Sequence, residues 1–143
     1  MRVMIIIKTT PEQEKGGTIP DAEFLEEMGK YNEELIKAGI VLAMDGLHPS
    51  SKGARVKFSG KSTTVTDGPF TETKELIAGF WIWRVNSIEE AIEWVKRCPN
   101  DGDSEIEIRQ IGEMEDFAPI LSEEEIEHKK EIRAELPNQT FNK

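Results

Sequence analysis

The chain has 143 residues, which suits one domain, since two domains would each be too small for a sizeable core. Hydrophobic residues make up 37% and charged residues 32%, as in a soluble globular protein. The formal net charge of −10 argues against a nucleic-acid partner, because affinity for phosphates depends on basic patches.

The single cysteine and the two histidines restrict the class of protein further. The single cysteine, Cys98, excludes an intrachain disulfide and favours a reducing, cytoplasmic setting. The first apolar run ends at Lys8, short of the ~7–15 residues of a signal peptide, and no stretch approaches a membrane span of ~20 residues, so no membrane association is expected. His48 and His128 lie far apart and show no ligand spacing. We therefore expect neither a metal site nor another cofactor.

The first third of the chain predicts a strand, a helix and a strand. Residues 3–7 form an uninterrupted apolar run that is typical of a strand buried on both faces, and residues 9–19 are expected to form a loop. Apolar side chains recur at helical spacing after Asp21, and Gly39 stands where a helix-ending glycine belongs. A second strand is predicted at residues 40–44.

A β-hairpin is predicted next. Residues 54–58 and 62–66 are short strand-like runs on either side of a turn that contains Gly60. The hairpin leads towards residues 77–85, the most apolar strand of the sequence.

The last part repeats the order of the first. Ser87 and Glu90 form a capping box, which predicts the start of a second helix. Residues 105–111 alternate between polar and apolar side chains, as in a strand with one wet face.

This order predicts an α+β fold of the ferredoxin-like type, a split βαβ pattern with the hairpin inserted between its halves. Both helices of such a fold cover one face of the sheet. Residues 3–7 and 80–83 offer no polar side to water on the other face, so a second sheet is needed there and a homodimer is predicted. We expect Trp81 and Trp83 to be mainly core residues, with at most one of them lining any one cavity.

Residues 113–143 are predicted to be an acidic extension of the domain at residues 1–112. The extension holds nine acidic and four basic residues, a net charge of −5. Ser122 and Glu125 form a second capping box, which predicts a helix from about residue 123 to residue 135. The helix has a thin apolar stripe, so docking is expected through the segment before it, at Phe117 and residues 120–121.

The most distinctive stretch runs from Asp67 to Glu75 and reads Asp-Gly-Pro-Phe-Thr-Glu-Thr-Lys-Glu. Asp, Gly and Pro in this order predict a tight turn, and Gly68 is expected to adopt a backbone conformation closed to side chains with a β-carbon. The polar side chains around the turn exceed what a plain reversal requires. Asp67 and Lys74 are candidate catalytic residues: Lys74 can bind an anionic or carbonyl group, and a carboxylate held beside it can act as a general base if burial raises its pKa. Glu72, Glu75 and Phe70 are candidate ligand-binding residues.

A second candidate region contains Asp45 and His48. His48 is chemically suited to be an acid/base partner of Asp67, and Asp45 is a candidate ligand-binding residue. The structural alternatives stay open: the turn holds a tight corner at a dimer seam, and His48 is an ordinary loop histidine.

The stretch from residue 67 to residue 75 resembles the signature of the DGPF branch of the YCII-related proteins, from which only Thr71 departs. The Gly-Leu-x-Pro element at residues 46–49 is similar to that family as well. The resemblance implies a dimeric α/β barrel, in which two sheets pack face to face. A His/Asp pair proposed for the wider YCII group has no matching motif here, and the acidic extension departs from the family pattern.

Two functions follow from these observations. The first is a small cytoplasmic homodimer that binds a small organic ligand near the turn at residues 67–70, with cofactor-free acid/base chemistry as the reaction if the protein is an enzyme. The alternative is a non-enzymatic interaction or regulatory module that uses the turn and the acidic extension as an interface.

Overall fold

The computed structural model describes residues 1–15 and 21–137 of the chain. These residues form a mixed α+β structure with one four-stranded sheet and one separate two-stranded ribbon. In chain order the elements are β1 (Arg2–Lys8), α1 (Pro11–Glu14), α2 (Ala22–Lys37), β2 (Val41–Gly46), β3 (Ala54–Ser59), β4 (Ser62–Asp67), β5 (Ile77–Arg84), α3 (Ile88–Lys96), β6 (Ile106–Gln110) and α4 (Glu123–Ala134). Short 3₁₀ turns cover Ser50–Lys52, Thr73–Glu75 and Met114–Phe117.

The four-stranded sheet is antiparallel and has the order β2-β5-β1-β6. This arrangement is compatible with a ferredoxin-like α+β fold. Among the described residues, strands β3 and β4 pair only with each other, with Val56 opposite Val65 and Phe58 opposite Thr63.

The hydrophobic core lies between the sheet and the helices. Val3 pairs with Trp83 and Ile5 with Trp81, and all four side chains are buried in one cluster with Tyr31 and Leu35 of α2 and Ala91 of α3. Our expectation that Trp81 and Trp83 cannot share a cavity was wrong. Residues two apart in a strand point to the same face, so both indoles face the helices.

Helices α2 and α3 begin where the sequence predicted, and the cap at Ser87 is the predicted one. The side chain of Asp21 accepts from the backbone N–H of Phe24 at 2.7 Å, and the hydroxyl of Ser87 accepts from that of Glu90 at 3.1 Å. The Tyr31 hydroxyl donates to the backbone oxygen of Trp94 at 2.7 Å, which ties α2 to α3.

The predicted loop at residues 9–19 contains a helical turn that the sequence analysis missed. Thr10 and Gln13 form a capping box, and Pro11 occupies the first helical position, so α1 covers Pro11–Glu14. Residues 16–19 of the predicted loop lie outside the described residues. This turn places the Glu14 side chain against residue 50.

The face of the sheet opposite the helices carries a central apolar patch. Met4 pairs with Ile82, and Ile6 pairs with Phe80; all four side chains are half-buried. We call these four residues the open-face patch. Polar side chains border the patch, because Arg109 is opposite Met4 and Glu107 is opposite Ile6 on β6. Within the described residues, no helix combines the length and the apolar character needed to cross a membrane.

The C-terminal segment begins with an ion pair to the first strand. Both carboxylate oxygens of Glu113 accept from the Arg2 guanidinium, at 2.7 Å from Nε and 2.9 Å from Nη2. Ser122 then caps α4 through the predicted box. Of the leading segment expected to dock, Leu121 is half-buried, whereas Phe117 and Ile120 are exposed and do not dock on the described part of the same chain. The division into a domain at residues 1–112 and an extension stays a prediction.

Candidate functional site

The turn at residues 67–70 is held in place by Ser50. The Ser50 hydroxyl accepts a hydrogen bond from the backbone N–H of Phe70 at 2.9 Å and donates to the carboxylate of Glu14. The Ser50 backbone N–H also donates to Glu14 Oε1, at 2.9 Å. The Gly68 N–H donates to the Gly53 carbonyl at 3.0 Å. Three segments that are distant in the sequence therefore meet at one serine.

Gly68 is required at this turn for a different reason from the one expected. The glycines with positive φ in the described chain are Gly39, Gly60 and Gly102, so Gly68 does not adopt the left-handed conformation. Instead, a β-carbon at residue 68 would overlap the backbone carbonyl of Ser50. The peptide bond between Gly68 and Pro69 is cis. The close approach of two backbones excludes any larger residue here.

Phe70 lies under a cation. The Arg55 guanidinium of β3 sits 3.8 Å from the centroid of the Phe70 ring, which connects the β3–β4 ribbon to the turn. Phe70 is half-buried, and its role in ligand binding stays a prediction.

Two clefts are lined in part by residues that follow the turn or that hold it in place. Thr9 lines both of them, and its N–H donates to the Leu76 carbonyl at 3.2 Å. The larger, which we call the Lys74 cleft, has a volume of about 690 Å³ and is lined by Lys8, Lys74 and the loop at residues 101–105 among others. The second, the His48 cleft, has a volume of about 320 Å³.

The His48 cleft is bounded by α1, by the segment after β2 and by the start of β5. Its lining includes Gln13 and Glu14 beside His48, and Ile77 provides an apolar wall. Glu14 also accepts a hydrogen bond from the Ser50 N–H, so a residue that lines this cleft contacts the serine that holds the turn. His48 itself is exposed.

The structure separates the candidate catalytic residues. Lys74 lines one cleft and His48 the other, while Asp67 lines neither of these two. Asp67 is exposed at the end of β4, opposite Ala54, and Asp45 is exposed in β2, opposite Phe80.

The two remaining candidates border the 3₁₀ turn that carries Lys74. Glu72 is at its N-cap position and Glu75 is its last residue. Both are exposed, and neither lines either of the two clefts.

The sequence analysis missed Lys8, Thr9, Glu14 and Ser50. The capping-box pattern of Thr10 and Gln13 is the signal that could have located α1 and hence Glu14. Nothing in the local sequence marks Ser50, because its role depends on a contact with Phe70 twenty residues away.

The buried titratable groups do not suggest a nucleophile. Burial raises the pKa of the Cys98 thiol to about 11, which keeps it protonated and unreactive at neutral pH. Burial likewise raises the pKa of Tyr31. Within residues 1–15 and 21–137, no three or more His, Cys, Asp or Glu side chains are grouped so that they could hold a metal ion.

Comparison with known proteins agrees with the resemblance seen in the sequence. The model of the YCII-related domain matches residues 1–115. This chain belongs to the YCII-related domain family. The Lys74 and His48 clefts, the turn at residues 67–70 and the Arg2–Glu113 pair all fall within the matched part of the chain.

A curated relative is similar over part of its length. It is the Uncharacterized protein R00369 of Rhizobium meliloti (strain 1021), which is 29% identical over 80 residues, or 56% of this chain. The aligned part covers 64% of the relative, slightly under two thirds of its length. Neither comparison names a reaction or a ligand.

Proposed function

We propose that this YCII-related protein is a cytoplasmic homodimer that binds a small organic molecule in the Lys74 cleft. The observation that carries the proposal is the cleft itself. Its volume of about 690 Å³ lies within the ~300–1,000 Å³ of typical small-molecule sites, and its lining includes two lysines, four carboxylates and several hydroxyl groups. The lysines and hydroxyl groups can bind the carboxylate, carbonyl or phenol oxygens of a ligand.

We propose binding rather than a particular reaction. Acid/base chemistry by Asp67 with Lys74 or His48 requires these side chains to act on one bound molecule. Lys74 and His48 line different clefts, and Asp67 lines neither of these two clefts. A binding site therefore agrees with the geometry better than the catalytic constellation does.

The dimer is proposed from two apolar surfaces. The open-face patch lies on the sheet face without helices, and a second copy of the same sheet would cover it in the manner of a dimeric α/β barrel. The β3–β4 ribbon is the second surface: Val56, Phe58 and Val65 lie on one of its faces and are 53%, 76% and 64% exposed. Isolated two-stranded ribbons are only marginally stable in water, so this one needs a partner surface.

Charge favours a second copy as that partner. Residues 46–66 contain four basic and no acidic residues, whereas residues 113–143 carry a net charge of −5. The acidic segment also exposes apolar side chains, and Ile120 is 78% exposed. The ribbon of one chain and the C-terminal segment of another are complementary in both charge and polarity.

The proposal also includes two finer assignments. The chain is assigned to the DGPF branch of its family, and the hairpin is assigned as an insertion in a ferredoxin-like fold.

The alternative function, a non-enzymatic interaction module, is favoured by the same exposed ribbon and C-terminal segment. In that case they bind a different protein, and the Lys74 cleft has no ligand. Whether the Lys74 cleft binds a small molecule therefore distinguishes the two functions.

A thermal-shift experiment tests the proposal. The wild-type protein, Lys74→Met and Lys37→Met are heated with and without a panel of small carboxylates and phenols. Lys37 is exposed at the end of α2, outside both clefts, and serves as the matched control. We expect at least one compound to raise the melting temperature of wild type and Lys37→Met but not that of Lys74→Met. A wild type that shifts with none of them, together with a destabilised Lys74→Met, supports the interaction module.

A further inference from the structure

We infer that the Lys74 cleft is built for a small aliphatic zwitterion, such as an α-amino acid with a short branched side chain. This inference rests on the proposed function, because it names the class of molecule that the cleft binds. It comes from two features of the cleft: its connection to an apolar inner pocket and the two signs of charge on its walls.

The inner pocket has a volume of about 80 Å³. Lys8, Thr10, Asp101 and Ser104 line both this pocket and the Lys74 cleft, so the two spaces adjoin. The lining of the inner pocket adds apolar residues from the sheet, from α2 and from the end of α3: Ile7, Phe24, Met28, Cys98 and Ile106.

The size of the inner pocket selects for a short aliphatic group. A cavity of ~150 Å³ is known to hold a benzene molecule, and this pocket has about half of that volume. An isopropyl or isobutyl group fits such a space, whereas an aromatic ring is too large. The ligand would bury its apolar end here and leave its polar end in the outer cleft.

The outer cleft carries both signs of charge. Lys74 and Lys8, whose ammonium lies 3.7 Å from Glu107 Oε1, provide two cations, and four carboxylates come from α1 and from the loop before β6: Glu12, Asp101, Asp103 and Glu105. An anion alone would meet more negative than positive charge, and a cation alone would meet the two lysines. A zwitterion places its carboxylate near lysine and its ammonium near the acidic loop, so that both of its charges are compensated.

The acidic loop has a defined shape. The Asn100 side chain accepts from the Gly102 N–H at 2.9 Å, and Asp101 Oδ1 accepts from the Asp103 N–H at 3.1 Å. The Lys8 N–H donates to the Glu105 carbonyl at 3.1 Å, which fixes this loop against the end of β1. The carboxylates are therefore presented on an ordered turn that adjoins the apolar pocket.

Isothermal titration calorimetry with dissected ligands tests the inference. L-leucine carries both charges and the branched chain; 4-methylpentanoate lacks the ammonium group, 3-methylbutylamine lacks the carboxylate, and glycine lacks the side chain. We expect L-leucine to bind at least tenfold more tightly than each of the other three. If 4-methylpentanoate binds as tightly as L-leucine, the zwitterion is wrong, although a ligand site remains.

Two variants test which residues bind the ammonium group and the carboxylate of the ligand. Asp103→Asn should weaken L-leucine binding at least tenfold but should not weaken 4-methylpentanoate binding, because that ligand has no ammonium group; Lys74→Met should weaken both. Glu33→Gln, at an exposed position of α2 that lines neither the Lys74 cleft nor the inner pocket, is the control and should leave the binding of both ligands unchanged. Equal L-leucine affinity in Asp103→Asn and wild type overturns the assignment of the ammonium group.

Two measurements test the apolar pocket, one on a variant and one on the wild-type protein. Met28→Phe adds volume to the pocket lining and should reduce L-leucine binding to the level of glycine. The comparison of L-leucine with glycine on wild type gives the same information if that variant does not fold. When no amino acid binds but a carboxylate or phenol of the thermal-shift panel does, only the ligand class is wrong; when nothing binds, the proposed function fails as well.

Discussion

The backbone carbonyl of Ser50 occupies the space into which a β-carbon at residue 68 would project. The same residue uses its hydroxyl to accept from Phe70 and to donate to Glu14. The turn at residues 67–70 is thus in close contact with the 3₁₀ turn at Ser50–Lys52, which is also hydrogen-bonded to Glu14 of α1. The turn at residues 67–70 therefore packs tightly against the backbone at Ser50, and polar residues near it line the Lys74 and His48 clefts.

We expect Gly68→Ala to lower the free energy of unfolding by about 2 kcal/mol or more, because the added methyl group forces two backbone segments apart. Urea denaturation followed by circular dichroism measures the change. Gly29→Ala is the control, since the space around Gly29 is open and alanine is a better helix former by ~1 kcal/mol. An unchanged unfolding midpoint for Gly68→Ala would contradict the close approach.

Removal of the Ser50 hydroxyl should also destabilise the protein. Ser50→Ala leaves the Phe70 N–H without its acceptor and takes one donor from Glu14, so we expect a loss of about 1–2 kcal/mol in unfolding free energy. Ser51→Ala, in the same 3₁₀ turn but exposed, should change stability by less than ~0.5 kcal/mol. Equal stability of the two variants would show that the Ser50 hydroxyl contributes nothing to holding the turn.

The Arg2–Glu113 pair predicts a specific pH dependence. The hydrogen bond from Arg2 lowers the pKa of Glu113 below its ordinary value of 4.5, with a partial offset from burial. A carboxylate with a lowered folded-state pKa contributes stability above its unfolded-state pKa, and this contribution is lost as the pH falls through the folded-state value. The pair should therefore stabilise the protein at neutral pH and lose this effect in acid.

Glu113→Gln tests this dependence. At pH 7 we expect a loss of about 1–2 kcal/mol in unfolding free energy, in the lower range for bonds to charged groups because the Glu113 side chain is 36% exposed. The difference from wild type should narrow below pH 4.5. Glu33→Gln, an exposed position in α2, is the control. A difference that is constant between pH 7 and pH 3 would show that the carboxylate charge is not involved.

The dimer can be tested on each of its two surfaces. Light scattering of wild type should give twice the mass of one chain. Ile82→Lys in the open-face patch should give monomers, because an unpaired charge at a buried interface costs several kcal/mol. Phe58→Ser should weaken the dimer through the ribbon, and Thr64→Ser on its other face should not. A folded wild-type monomer at micromolar concentration would end the dimer proposal.

Much of the fold could be predicted because its signals are local. Helix starts at Asp21, Ser87 and Ser122 depend on side chains that cap amides three residues away, and each start was found at the predicted residue. The two faces of β5 follow from simple alternation as well, and the error over Trp81 and Trp83 came from misapplying that rule. The missed helix α1 had a capping box of the same kind.

The candidate site was less predictable, because its contacts cross long stretches of chain. Ser50 meets Glu14 and Phe70, and Arg2 meets Glu113 across 111 positions. No local pattern encodes such pairs, since they depend on how the segments pack after they have formed. The sequence by itself determined the types of the elements, the turn at residues 67–70 and the family resemblance. Only the tertiary structure decided that Gly68 is required by the carbonyl of Ser50 and that Lys74 and His48 belong to different clefts, because both facts depend on the distance between segments that the sequence leaves far apart.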